Sequence, residues 1–353
     1  MFSKLLFLLN SLFGVALLLS YAAAFVSPES IPWLSVFGLT YPFWACINLA
    51  WVIVWILFRK RYVLLSVICL VVGYNYPGRY IQWSHSDREE ISEDSLKVMS
   101  YNVQQFRYNK NVSENMMEVM QSIREINPDI ICFQEYYSKR KGTESLHARL
   151  KSIGYEYYSA AMQSKHDLVG SVIYSKYKIL NTNLISKEKS LYNRCLFIDI
   201  NYKGYPVRVY NFYLASNRLE KEDAHVIRKI ASQKNVETED GKNLIRKIIT
   251  ASKRRAEELD LLLPHIQNCE TDFIVCGDWN DTPGSYTYGM MHRYGQDAFK
   301  KQGSGMGVTF HEATPPQRLD YIMPSKRWKI HTYRRLLSKA SDHYPIYSEI
   351  TLP

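Results

Sequence analysis

The chain of 353 residues is 46% hydrophobic and 22% charged, and 44 Lys and Arg against 34 Asp and Glu leave a formal net charge of +10. That length holds one large domain and something extra, and no internal repeat or low-complexity segment is present. Six cysteines without a Cys-x-x-Cys spacing argue against a disulfide framework; Cys132 and Cys276 lie inside apolar runs, as free buried thiols do.

The chain begins with apolar runs. Leu5 to Val26 is 22 residues without a charge and Leu34 to Phe58 is 25, against the roughly 20 apolar residues that cross a bilayer as a helix. A third run, Tyr62 to about Gly73, is shorter and extends through Tyr74-Asn-Tyr-Pro-Gly78. These runs predict two to three transmembrane helices, at about 5–26, 34–58 and 62–78, within a membrane anchor over residues 1–80. A signal peptide cleaved after Ala22-Ala-Ala24 is the competing account of the first run, and the second run, following at once, argues against it. Lys4 precedes the first run and Arg59-Lys60-Arg61 follows the second, while Ser27-Pro-Glu-Ser-Ile-Pro32 carries no basic residue. Cations favour the cytoplasmic side. With three spans everything after about residue 80 is therefore expected outside the inner or plasma membrane, in the periplasm. A third run lying in the interface would reverse that.

Residues 81–94 read as a linker, and residues 95–353 as one globular domain. From residue 87 onward there are 39 Lys and Arg against 33 acids, a net of +6. A mildly basic domain suits a polyanionic partner such as nucleic acid or a phospholipid headgroup without identifying one. Leu96 to Tyr101 is predicted as a strand, Ser113 to Ile126 as a helix stopped by Asn127-Pro128, and Asp129 to Phe133 as a buried strand. Gly170 to Tyr174, Leu196 to Asn201 and Val207 to Phe212 follow as strands, the last two joined by a hairpin at Lys203-Gly204. The stretch from Arg218 to Arg255 is highly charged and reads as a solvated helical excursion or as a basic arm over a substrate. Ser252 to Ile266 is an amphipathic helix that leads into the strand Asp272–Cys276. Arg318 to Met323 and Tyr344 to Thr351 complete the set. Strands in this number with long helices at two places predict an α/β sandwich of two mixed sheets with helices outside.

Polar groups follow or interrupt these strands. Asn102 ends the first in "MSYNVQQF" and Glu135 the second in "IICFQEYY". Asp278, Asn280 and Asp281 follow "FIVC", Asp320 sits in "RLDYI", and Asp342-His343 in "SDHYPI". Each alone has a plain account as a turn or surface residue, Asp278 to Asp281 as an Asx turn. Placed at five strand ends, these groups can all converge on one sheet edge. Carboxylates and amides without a Cys/His cluster suit Mg²⁺ or Mn²⁺, hard ions that take part of their shell from a phosphate. There is no Gly-x-x-x-x-Gly-Lys loop and no Gly-x-Ser-x-Gly elbow, which leaves metal-assisted hydrolysis of a phosphate ester by water.

The ordered set "SYN", "FQE", "GDWND", "RLDYI", "SDHYPI" resembles the endonuclease/exonuclease/phosphatase superfamily, which includes DNase I-like and exonuclease III-type nucleases, sphingomyelinases and inositol polyphosphate 5-phosphatases. The likeness is to a membrane-anchored, bacterial-type member and covers about residues 95–353. It implies a DNase I-like four-layer α/β/β/α sandwich and a metal-dependent phosphoesterase. It further implies that Glu135 ligates the metal with Asn102 beside it and Asp342 near it. Asp278 would orient or deprotonate the attacking water, Asn280 hold a phosphate oxygen, and His343, its tautomer fixed by Asp320, bind the phosphoryl oxygens. Many members carry His in an Asn-x-His-Leu segment where this chain has "NFYL"; exonuclease III-type members resemble it in placing a Tyr there, here Tyr213. "GSVIYSKYKI" resembles a structural strand of the family, Asp281 reads as a turn residue, and His166 as a surface group.

Nucleic acid is thus the favoured substrate, with a phospholipid or phosphoinositide as the alternative and a catalytically silent binding module as the remote one. The complete set of acids, amides and His argues against the last.

Overall fold

The computed structural model describes residues 2–58, 60–83, 94–139, 145–163, 166–185, 195–217, 221–232 and 238–353. Arg59, Arg218 and most of the 81–94 segment lie outside them. The chain divides into two compact units: Met1–Tyr80 with Asn217–Glu257 and Asp281–Met291, and Ile81–Ser216 with Glu258–Asn280 and His292–Pro353. Two later segments are thus grouped with the N-terminal helices.

In the first unit the apolar runs form α1 (Phe2–Ala22), α2 (Leu34–Leu39), α3 (Tyr41–Phe58) and α4 (Val63–Val72). The second run is not one helix. It breaks at Thr40, and Pro42, which has no N–H to give, falls in the first turn of α3 where none is needed. Two helices, Ser3–Ala22 and Tyr41–Phe58, are long and apolar enough to cross a membrane, whereas α4 has ten residues.

The polarity of this bundle is inside out. Asn10, Ser20, Asn48 and Ser66 are fully buried, while Leu8, Leu12, Val15, Leu49, Ile53 and Ile68 are exposed. Ser66 Oγ donates to Asn10 Oδ1 at 2.8 Å, and Asn48 Nδ2 to Phe13 O at 3.0 Å.

The second unit runs β1 (Ile81–Gln82), β2 (Leu96–Asn102), α5 (Val112–Ile126), β3 (Ile130–Lys139), α6 (Leu146–Ser152), β4 (Tyr157–Gln163), β5 (Asp167–Ser175), β6 (Ile179–Ile185), β7 (Cys195–Tyr202) and β8 (Tyr205–Tyr213). After α7 (Lys221–Ala231) and α8 (Thr238–Gln267) come β9 (Asp272–Asp278), α9 (Tyr286–Met291), α10 (Ala298–Gln302), β10 (Gly305–Met306), β11 (Asp320–Pro324), β12 (Lys329–Arg335) and β13 (Ile346–Thr351). Six strands pair in the order β12-β13-β2-β3-β5-β4 and five in the order β11-β9-β8-β7-β6; β1 and β10 form a separate pair. Both large sheets are mixed, with β2 parallel to β3 and β8 parallel to β9. Of the closing strands, β13 starts at Ile346, just past Pro345, which has no N–H for the ladder.

The facing sides of the sheets supply one core: Val98, Ile130, Cys132 and Ile173 against Ile198, Val209, Ile274 and Ile322. The other side of the six-stranded sheet, with Met99, Ile131 and Phe133, is covered by Val119, Met120 and Ile123 of α5. The C-terminal part of α8 meets the five-stranded sheet, where His265 Nδ1 lies 3.0 Å from Tyr210 OH. Sheets inside and helices outside make the α/β/β/α sandwich that the element order predicts. All six cysteines are free.

Candidate functional site

Register builds the site. In the five-stranded sheet Asp278 stands opposite Asp320 across the antiparallel pair and opposite Tyr213 across the parallel one, so three polar side chains share one row at the strand ends. In the other sheet Asn102 pairs with Gln134. The next residue, Glu135, has φ 49° and falls where the register with β5 shifts between Phe133 and Tyr136. A bulge of this kind re-aims one side chain. Gln134 therefore stays inside, bonded to Asn211 Oδ1 at 2.7 Å, and Glu135 turns to the rim. Gly277 is needed ahead of Asp278 because its φ is 138° and a Cβ there would come within 1.9 Å of Phe212 O.

The polar groups form one connected set. Asn102 Nδ2 donates to Glu135 Oε1 at 3.1 Å and to Asp278 Oδ2 at 3.0 Å. Tyr213 OH donates to Glu135 Oε1 at 2.7 Å. Asp278 Oδ1 accepts the backbone N–H of Asn280 at 2.8 Å, and Asn280 Nδ2 donates to Leu214 O at 3.0 Å. His343 Nδ1 lies 2.8 Å from Asp320 Oδ2, and its Nε2 3.7 Å from Asp278 Oδ2. With Nδ1 held by a carboxylate, the imidazole has one tautomer and one orientation.

Burial pushes the carboxyl of Asp278 up to about 7, with Asp320 adding to the rise while His343, Asn102 and the Asn280 N–H oppose it. Burial alone would lower His343, but Asp320 and Asp278 hold its pKa up at about 10. Burial also raises Asp342, and the nearby Glu135 charge raises it further. Tyr213 is pushed well above the ordinary phenol range by burial and then by Glu135 and Asp278.

Among the described residues one set of His and acidic side chains has its ligand atoms gathered. Asp278, Asp320 and His343 offer atoms that all lie within 4.8 Å of one another. Their closest contact, between Nδ1 and Oδ2, is already a hydrogen bond. Glu135 and Asp342 are half-buried carboxylates near enough for one charge to raise the other. Oxygen donors of that kind, next to the Asn102 amide, fit a hard divalent ion.

Two supporting residues had no place in the sequence reading. Ser341 Oγ donates to Asn102 O at 2.7 Å and accepts from His343 N at 3.3 Å, tying the β2 end to the His343 turn. A hydroxyl two residues ahead of the His is its one sequence signal. Thr309 Oγ1 accepts the N–H groups of Leu319 and Asp320, both at 3.0 Å, and nothing in the sequence marks it. The Asx-turn account of "DWND" also has substance, through the Asn280 N–H to Asp278 bond, but it coexists with the site. Asp281 lies in the first unit, paired with Arg255 at 3.1 Å.

Residues 99–343 match the family model described as Endonuclease/Exonuclease/phosphatase family, well over half of the chain. The chain belongs to the endonuclease/exonuclease/phosphatase family. Members hydrolyse phosphate esters, and the chain is a hydrolase of that class. Residues 3–80 match the model of a Domain of unknown function (DUF8431). No curated protein matches.

Among solved structures, an endonuclease/exonuclease/phosphatase family protein from Leptotrichia buccalis is 16% identical, with a TM-score of 0.52 over 73% of this chain and 100% of that one. The D. rerio TDP2 complexed with single strand DNA product is 14% identical, with a TM-score of 0.52 over 73% and 100%. The human Nocturnin catalytic domain is 17% identical, with a TM-score of 0.50 over 74% and 94%. At these identities the likeness is one of fold.

Proposed function

We propose that this protein is a membrane-anchored, Mg²⁺- or Mn²⁺-dependent phosphodiesterase that acts on nucleic acid. The observation that carries the chemistry is the shared contact of Asp278 with Asn102 at 3.0 Å and His343 at 3.7 Å. A buried acid, a locked imidazole and an amide-linked Glu135 meet at the ends of strands from both sheets. In this reading Glu135 and Asp342 would hold the ion with Asn102 beside them, its Nδ2 donating to Glu135, and the ion would supply charge neutralisation at the phosphate oxygens. Asp278, lifted toward neutrality by burial, takes the proton of the attacking water. His343, kept cationic by Asp320, faces the charge that builds on the phosphoryl group. Tyr213 holds Glu135 in place, and Asn280 holds the turn that presents Asp278.

Nucleic acid is favoured by the basic domain and by Tyr213 where many members carry His. The solved relative complexed with single strand DNA product supports the same substrate class. The anchor is supported by the inside-out polarity of the N-terminal bundle, because in lipid polar side chains turn inward and apolar ones outward. That same anchor keeps a phospholipid or phosphoinositide substrate as the second reading.

The test is the full chain in detergent with Mg²⁺ or Mn²⁺, offered single-stranded and plasmid DNA, RNA, phospholipids and phosphoinositides. EDTA should abolish hydrolysis, and added ion should restore it. Turnover of DNA or RNA that falls steeply with salt supports the nuclease reading, since neutralised phosphates release counterions. Cleavage of lipid alone transfers the assignment to the second reading, and activity indifferent to EDTA removes the metal mechanism.

A further inference from the structure

The site leaves the helical excursion between β8 and β9 unused. From Gly241 to Ala256 it holds six cations and no acid. Two are neutralised within the first unit, Lys247 by Asp223 at 2.6 Å and Arg255 by Asp281 at 3.1 Å. The other four, Lys242, Arg246, Lys253 and Arg254, make no ion pair among the described residues. Lys242, Ile245, Arg246, Ile249 and Lys253 recur at three- and four-residue spacing, which places them on one face of α8, with Arg254 at its flank. Lys242, Ile245, Arg246 and Arg254 are exposed, and Ile249 and Lys253 half-exposed. Three cations around two isoleucines, with Arg254 at the flank, form a basic amphipathic stripe with nothing folded over it among the described residues.

The opposite face fixes where that stripe sits. Leu244 and Ile248 pack with Val226 of α7, and against them lie Val36 and Leu39 of α2. Helix α2 is the connection between α1 and α3, and it ends two residues before α3 begins. If α1 and α3 cross the bilayer, a helix joined directly to one of them lies at headgroup depth, and so does the helix packed on it. Membrane-surface helices have this composition, with cations at the phosphates and apolar groups at the acyl boundary.

We propose that the Lys242–Arg254 face of α8 is a docking surface for anionic phospholipid headgroups. The inference rests on the membrane reading above. It makes the excursion a second, electrostatic hold on the bilayer. A nucleic-acid arm is the rival use of the same cations; exposed Ile245, half-exposed Ile249 and the packing on α2 favour lipid.

The full chain, placed in nanodiscs of phosphatidylcholine or of equal parts phosphatidylcholine and phosphatidylglycerol, tests this by hydrogen–deuterium exchange. Backbone exchange over residues 241–256 should slow in the anionic discs by about fivefold for each cation engaged, taking typical headgroup attraction for one charge. High salt should erase the difference. The variant K242Q/R246Q/K253Q/R254Q should exchange equally in both discs, with the α1 and α3 peptides protected as in the parent chain. Equal exchange of the parent in both discs overturns the proposal. Protection by single-stranded DNA on neutral discs, without protection by phosphatidylglycerol, overturns it in favour of the nucleic-acid arm. Release of the chain from membranes by alkaline carbonate overturns it as well, and shows that the membrane reading failed rather than the headgroup assignment.

Discussion

Asp278 and Asp281 leave the same strand three residues apart, both buried, and the chain treats them in opposite ways. Asp281 has a guanidinium of its own: Arg255 lies 3.1 Å away and is itself 1% exposed, while Thr287 Oγ1 donates at 2.8 Å. Asp278 has only a share in an imidazole. His343 stands between it and Asp320, at 3.7 Å and 2.8 Å, and Asp320 Oδ1 has no partner among the described residues. A buried acid matched by its own cation is structure. Two acids sharing one imidazole are poised for chemistry.

The widest break in that comparison is expected at Asp278 and His343. Asp278→Asn or His343→Ala should lower turnover by about 10²- to 10⁴-fold, as losses of acid–base and charge-stabilising groups do, measured as single-turnover hydrolysis. Stability should move the other way for Asp278→Asn. Its folded-state pKa of about 7 lies above the ordinary carboxyl value of 3.8, so the proton is bound more tightly in the folded state. The stability it lends is full below that ordinary value and lost as pH rises through 7. Thermal unfolding should therefore show the Asn variant at least as stable as the parent at pH 8, the difference shrinking toward pH 4.

At the Arg255–Asp281 pair the pattern should reverse. Either Arg255→Met or Asp281→Asn alone leaves one buried charge unmatched and should cost about 3–5 kcal/mol. The double change Arg255→Met/Asp281→Leu should recover much of it. Thermal unfolding in detergent reads all three, and additive losses in the double variant would mean that the pair is not the source.

A finer distinction lies in the pH profile. Activity should rise about tenfold per pH unit up to about 7, as Asp278 loses its proton, and fall above about 10, as His343 loses its own. Asp320→Asn should bring the upper limb down, because Asp320 is the first of the groups that hold His343 charged. An unmoved limb would take His343 out of the account. The smallest effect is expected at Tyr213. Tyr213→Phe removes the 2.7 Å bond to Glu135 and should weaken Mn²⁺ binding by about tenfold, the lower end for a group that orients a ligand. Saturating ion should restore turnover.

Much of this arrangement was legible in the sequence because strand ends are. Each of Asn102, Asp278 and Asp320 closes or opens an apolar run, and an apolar run long enough to be a strand puts its end residue at the sheet edge. What the runs do not encode is the neighbour across the ladder. That Tyr213 bonds Glu135, and that the Asn280 amide is taken by Leu214 O, depends on a bulge at Glu135 and on how two sheets face each other. The excursion from Arg218 to Arg255 was readable as a charged, solvated helical stretch or a basic arm. Its apolar face finds Val36 and Leu39, far away in the chain, so nothing local gives its place among the N-terminal helices. The break at Thr40 was similarly hidden inside an unbroken apolar run.

In the proposed division of labour Glu135 and Asp342 hold a divalent ion while Asp278, Asp320 and His343 handle protons and charge. Anomalous diffraction from a crystal of the full chain soaked in Mn²⁺ tests it most directly. The expected result is a single peak within bonding distance of Glu135 and Asp342. A peak seated inside the Asp278–Asp320–His343 trio, or none near either set, would contradict it.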